Sequence, residues 1–136
     1  MHVSTSMITC PCGSGKSYIA CCEPYIIGKH IAATPEALMR SRYSAYTQAN
    51  VEYIKETMQG EPTVNFDAEQ VRAWAKQVEW LGLRVFGSRI SLQDKNVGYV
   101  EFRASYRLAG KKQHIHEISE FHREEGRWYY IGGIEK

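Results

Sequence analysis

At Trp80-Leu81-Gly82-Leu83-Arg84-Val85 the periodicity of this chain changes. Before it, apolar residues recur every three or four positions; from Leu81 they alternate, which places Leu81, Leu83 and Val85 on one side of an extended segment. The alternation predicts a first strand running toward Leu92, closed by the turn-forming Gln93-Asp94-Lys95-Asn96. Val100, Phe102, Ala104, Tyr106 and Leu108 predict the apolar face of a second strand. Ala109-Gly110-Lys111-Lys112 is the next turn and Gln113 to Arg123 the third strand. Glu124-Glu125-Gly126-Arg127 then turns into Trp128-Tyr129-Tyr130-Ile131. Consecutive strands joined by short polar turns make an antiparallel meander.

Upstream, Thr34-Pro35-Glu36 reads as a helix start, with Thr34 as N-cap and Pro35 in the first turn. Met39, Tyr43 and Tyr46 form an apolar stripe at helical spacing, and Val51, Ile54 and Met58 continue it until Gly60-Glu61-Pro62. Asp67, with Gln70 three residues on, opens another helix carrying Val71, Trp74, Ala75 and Val78. Helices first and sheet second predict an α+β domain over residues 31–136, with the helices packed on one face of the sheet.

The four cysteines, Cys10, Cys12, Cys21 and Cys22, all lie ahead of that domain. The first residues show no basic region followed by an apolar run, so the expectation is a cytoplasmic chain in which thiols stay reduced. Clustered cysteines in that setting point to metal ligands; crossed disulfides are the alternative. The spacing is C-x-C-x8-C-C. Zinc favours a tetrahedron of thiolates, and four cysteines complete a closed structural site. Gly13 and Gly15 allow the loop to fold the second pair over the first. Gly15-Lys16-Ser17 ends like a phosphate-binding loop, but the position that motif needs as glycine is Cys10. Residues 1–30 are therefore expected to form a zinc knuckle with its connector, and Zn2+ is the expected cofactor.

The run Cys10-Pro11-Cys12-Gly13-Ser14-Gly15-Lys16-x-Tyr18-x-x-Cys21-Cys22 closely resembles the SEC-C motif, also found at the carboxyl end of the SecA translocation ATPase. The resemblance implies zinc on these four cysteines and a contact surface for a protein partner. The helix-then-sheet order resembles the nuclear transport factor 2-like fold, a cystatin-like cone with helices in the concavity of a curved sheet. The knuckle paired with Leu38-Met39-Arg40-Ser41-Arg42-Tyr43-Ser44-Ala45-Tyr46, and later His116-Glu117-x-Ser119-x-Phe121 and Gly126-Arg127-Trp128-Tyr129-Tyr130, resembles the YchJ family of small bacterial proteins. That family implies a fold and no established activity.

Strand alternation puts His114, His116, Ile118 and Glu120 on one face and Ile115, Glu117, Ser119 and Phe121 on the other. His116 or Glu117 facing the cone would be an acid/base candidate near neutral pH. His114-x-His116 could alternatively pair on a metal, and the plainer reading makes all of them polar residues of a half-solvated strand. Arg40, Arg42 and Tyr43 are pocket candidates, able to meet an acidic ligand or to stack on bases; the plainer role for the arginines is pairing with Glu101 or Glu117. Trp74, Trp80 and Trp128 read as core anchors.

A formal net charge of +2 excludes a binder that relies on a blanket of phosphate contacts, so nucleic acid would need a local basic patch. No apolar run is long enough to span a bilayer. The expectation is a non-enzymatic binding module with a structural zinc site. It would meet a protein partner through the knuckle, a small molecule in the cone, or a second copy of itself as a homodimer. The alternative is a small pocket enzyme of hydrolase, isomerase or dehydratase type.

Overall fold

The computed structural model describes residues 8–134, so the first seven positions of the expected knuckle lie outside the described residues. Thr34 accepts a hydrogen bond from the Ala37 amide at 3.1 Å and starts the long helix. Asp67 does the same for Gln70. These caps satisfy amides that a helix leaves without intrahelical partners. The helices are α1 (Glu23–Ile26), α2 (Pro35–Thr47), α3 (Val51–Glu56), α4 (Glu61–Val64) and α5 (Ala68–Gln77). The strands are β1 (Glu79–Ile90), β2 (Val97–Leu108), β3 (Lys111–Glu124) and β4 (Arg127–Ile134).

The sheet has the order β1-β2-β3-β4, every pair antiparallel, as the alternation predicts. Two of its turns are two-residue hairpins. Ala109 and Gly110 have φ of 53° and 81°, and Glu125 and Gly126 have 52° and 83°. Two left-handed residues in succession match the twist of the flanking strands, which is why a glycine sits second in each.

The ladder corrects one reading of β1. Trp80 pairs with Tyr106 but Gly82 pairs with Ser105, so Leu81 is an extra residue in a bulge. The inward face is therefore Trp80, Leu83 and Val85, while Leu81 is exposed. Further register shifts fall at Phe86, between Val85 and Gly87, and opposite Glu120/Phe121 in β4. Each bulge bends its strand and increases the local twist. A sheet so interrupted curves, and the curvature makes a concave face.

Helix α2 lies across that concavity. Leu38, Met39 and Tyr43 from α2 pack with Val100, Phe102, Ala104, Phe121 and Trp128 from the sheet. Cys10, Cys12 and Cys22 belong to the same buried cluster, so knuckle and cone share one core. The segment after α3 closes the far edge: Tyr130 donates its amide to the Thr57 carbonyl and accepts from the Gln59 amide.

The N-terminus of α2 rests directly on Gly98 of β2. A Cβ there would lie 2.5 Å from Pro35 Cγ and 3.2 Å from Ile90 Cδ1. Gly98→Ala is expected to destabilise the protein by about 1–3 kcal/mol through overpacking. Urea denaturation should show this as a lower midpoint with an unchanged slope.

Candidate metal centre and pocket

The knuckle is built by its own backbone. Thr9 and Ser17 form an isolated antiparallel bridge; the Cys10 amide donates to the Lys16 carbonyl and the Tyr18 amide to the Ile8 carbonyl, both at 2.8 Å. Gly13 and Gly15, at φ +80° and +85°, reverse the chain between them. Helix α1 begins immediately after Cys22 with Pro24 in its first turn. The result places Cys10, Cys12, Cys21 and Cys22 with all four Sγ atoms within 4.8 Å of one another. Cys12 and Cys21 are 3.6 Å apart and Cys21 and Cys22 4.0 Å. A tetrahedral zinc with Zn–S of about 2.3 Å has S···S edges of roughly 3.8 Å, so the donor set fits such an ion. All four are free thiols, and a disulfide would need its sulfurs at about 2.05 Å.

Two hydroxyls reach the sulfurs from outside the set: Ser14 Oγ meets Cys21 Sγ at 3.1 Å and Ser44 Oγ meets Cys10 Sγ at 3.5 Å. Such donors stabilise thiolate charge and orient metal ligands. Crowding divides the thiols. Contacts with Cys10 and then Cys22 push the Cys12 pKa down, and contacts with Cys10 and Cys12 push that of Cys22 up. Burial pushes the Cys21 thiol up.

The knuckle is fastened to the cone at named points. Arg40, expected in the pocket, instead donates from Nη1 to the Cys12 carbonyl at 2.7 Å and from Nε to Glu36 Oε2 at 3.0 Å. It faces the knuckle because residues two apart on a helix point to different sides, and Arg42 takes the cone side. Gln48 Nε2 donates to the Tyr18 hydroxyl at 2.7 Å. Gly13 approaches β1 so closely that a Cβ would sit 2.7 Å from the Leu83 carbonyl oxygen.

On the other side of α2 the concavity encloses a cavity of about 180 Å³. Tyr43, Tyr46, Trp74 and Trp80 form its walls, while Arg42 and Glu117 supply its charges. Trp74 and Trp80 meet edge to face at 5.3 Å, and Tyr43 meets Trp80 likewise at 5.6 Å. The Trp80 indole donates to the Ala75 carbonyl at 3.1 Å. Glu117 Oε2 accepts from the Ser119 hydroxyl at 2.5 Å and from the Tyr130 hydroxyl at 3.0 Å. Arg42 donates from Nη1 to the Ile54 carbonyl at 2.8 Å and to Thr57 Oγ1 at 2.6 Å. Its guanidinium lies 4.7 Å from the Tyr130 ring centroid. Burial pushes the Arg42 pKa down, the Tyr43 phenol up to about 12, and the Tyr130 phenol up, the last also raised by the Glu117 charge.

The structure separates the two acid/base candidates. Glu117 lines the cavity, whereas His116 lies on the outer face of the sheet, stacked on Phe86 at 5.3 Å and paired with Glu101 at 2.8 Å. Alternation sends neighbours to opposite faces, and buried Ser119 and Phe121 mark the inner one. His116 is therefore not a pocket residue. Glu101 pairs with it, while Arg40 pairs with Glu36. His114 bonds Ser105 Oγ at 3.0 Å, and among the described residues the four cysteines are the group of three or more side chains that could hold a metal. Trp74 and Trp80, read as core anchors, turn out to be cavity walls; Trp128 is buried. Tyr130 and Ser119, which no local pattern marks as functional, reach Glu117 from β4 and from two residues along β3 respectively.

A four-cysteine knuckle seated on a helix-filled, curved antiparallel sheet defines a SEC-C protein with a nuclear transport factor 2-like cone. The SEC-C motif model matches residues 9–24, and the model of the YchJ middle, NTF2-like domain matches residues 34–133. A UPF0225 protein of Geobacter sulfurreducens is 41% identical over 124 residues, covering 91% of this chain and 77% of that one. A UPF0225 protein of Serratia proteamaculans is 42% identical over 126 residues, covering 91% and 81%. The chain belongs to the YchJ (UPF0225) family. The solution structure of a SEC-C motif containing protein from Rhodopseudomonas palustris superimposes with a TM-score of 0.84 at 43% identity, covering 95% of this chain and 99% of that one. A SEC-C motif containing protein from Psychrobacter arcticus gives 0.80 at 29%, covering 97% and 86%. A putative Ca/calmodulin-dependent kinase II association domain from Exiguobacterium sibiricum shares the fold alone, at TM-score 0.51 and 11% identity over 74% of this chain and 91% of that one. Among the described residues no helix is long and apolar enough to cross a membrane.

Arg40 supports the ligand loop without touching a sulfur. Arg40→Ala is expected to weaken metal binding about tenfold to a hundredfold, the usual effect of losing an outer-sphere support. Competition against a chromophoric chelator measures it, and Arg40→Lys should recover only part of the loss because a single ammonium cannot serve both Cys12 and Glu36 in the same geometry.

Proposed function

We propose that this protein is a non-catalytic binding module whose metal is zinc, held structurally by Cys10, Cys12, Cys21 and Cys22. The observation that carries the reading is the closed set of four sulfurs within 4.8 Å. A zinc ion with four thiolates has no open position for water or substrate, so its contribution is to folding. The ion would hold the loop that Arg40 and Ser44 of α2 and Gln48 at its C-cap grip, and α2 in turn walls the cone cavity. The knuckle then offers a rigid surface to a protein partner, and the cone offers a site to a small molecule. The pocket-enzyme alternative is weaker, because His116 lies outside the cavity and leaves Glu117 there without an imidazole partner.

Purified protein is expected to carry one zinc per chain and four thiols that titrate only after the metal is removed. Chelation should lower the melting temperature by roughly 10 °C or more, since one kcal/mol moves the midpoint of a domain this size by several degrees. Metal-free protein that is fully stable, or a different stoichiometric metal, would refute the reading. Cys12→Ser is expected to give the same loss of stability without chelator, together with loss of stoichiometric zinc.

A further inference from the structure

Arg42 and Glu117 face one cavity with opposite charges, yet among the described residues no ion pair within 4.0 Å joins them. Arg42 is only 4% exposed. Both of its hydrogen bonds leave from Nη1, so Nε and Nη2 make none to any described residue. Neither atom is among the buried unpartnered polar atoms of the described residues, so both keep access to the cavity that Arg42 lines, where a ligand can reach them. Glu117 shows the complementary pattern. Ser119 and Tyr130 both donate to Oε2, and Oε1 accepts no hydrogen bond from the described residues. Gly133 leaves that oxygen its space, for a Cβ there would lie 2.9 Å from Oε1. The cavity thus presents free donors and a free acceptor beneath aromatic walls.

The walls are apolar in character. The Trp80 N–H is already committed to Ala75, and Tyr43, Tyr46 and Trp74 present ring surface to the space. At about 180 Å³ the cavity is somewhat larger than an apolar cavity of about 150 Å³ that takes up benzene, so it admits one small molecule with a single aromatic ring. Charge arithmetic narrows its chemistry. A lone anion would meet Arg42 but face the Glu117 carboxylate. A lone cation would meet Glu117 and the ring faces but face Arg42. A hydrocarbon would leave Arg42 Nε and Nη2 and Glu117 Oε1 as they are, without hydrogen-bond partners.

We propose that the cone cavity binds a zwitterionic, amino-acid-like molecule with an aromatic body. Its carboxylate would accept from the free Arg42 donors and its ammonium would donate to Glu117 Oε1. The ligand bridges the two charges that the protein keeps apart, and its body fills the space between the indole and phenol rings. This inference rests on the reading of the cone as the small-molecule site of a binding module, and it names the ligand class.

The test uses the full-length, zinc-loaded protein and three probes of similar size: phenylalanine, phenethylamine and phenylacetate. Binding is followed by calorimetry and by the tryptophan fluorescence of Trp74 and Trp80. Phenylalanine is expected to bind, and each singly charged probe to bind about tenfold or more weakly, as befits loss of one charge-assisted contact. Arg42→Gln and Glu117→Gln should each weaken phenylalanine by a similar factor, and Glu117→Gln should narrow its advantage over phenylacetate. Should Arg42→Gln fail to fold, the three-probe ranking on the unaltered protein and the Glu117→Gln variant still decide the matter. The proposal is overturned if phenylacetate or phenethylamine binds as well as phenylalanine. It is equally overturned if no probe binds at about 10 mM, a concentration that would detect even millimolar affinity. A silent titration on protein with one zinc per chain rejects the ligand class alone, whereas absence of zinc rejects the module reading.

Discussion

The Arg40 guanidinium reaches from α2 to the Cys12 carbonyl at 2.7 Å, and Ser44, one turn further along, meets the Cys10 sulfur at 3.5 Å. Those contacts tie a loop with almost no core of its own to the helix that fills the cone. Residues 3 and 4 apart on α2 share a face, so one side of the helix holds the knuckle while Leu38, Met39 and Tyr43 are buried against the sheet. Anything that shifts the knuckle would press on α2, and α2 supplies Arg42, Tyr43 and Tyr46 to the cavity. The cysteine cluster and the pocket thus lie on two sides of one helix.

That helix is unusually polar for a buried element. Ser41, Arg42 and Ser44 are all buried on it. Ser41 donates to the Leu38 carbonyl and shares a hydrogen bond with the Tyr53 hydroxyl; Arg42 holds the end of α3 through Ile54 and Thr57. A buried polar group is tolerated only with a partner, and each partner has one geometry. The polar face therefore specifies how α3 packs, and it brings a positive charge to a site an apolar helix would have left neutral. The strand side answers with Glu117, braced by Ser119 and Tyr130.

Local signals in the chain proved readable where the chemistry is local. The helix starts at Thr34 and Asp67 have their caps, the glycine-bearing hairpin turns lie where predicted, and four cysteines spaced C-x-C-x8-C-C come together in space. Strand faces depend on more than the local pattern. A strict period of two places Leu81 inward, but the bulge after Trp80 inserts one residue and inverts the parity upstream of it. Arg40 and Arg42, two positions apart, read alike as a pair of helix arginines, and only the helix's placement divides them between knuckle and cone.

Sequence alone determined the order of elements, the antiparallel meander and the clustering of the four knuckle cysteines, because caps, turn glycines and closely spaced cysteines act within a few residues. Tertiary structure decided which face of each strand is inside, that His116 is outside and Glu117 within, and that Trp74 and Trp80 wall a cavity. Those outcomes depend on bulges and on the seating of α2. Each is a displacement of one residue or a rotation of one helix face, too small to leave a periodic trace in the chain yet large enough to move a side chain across the sheet.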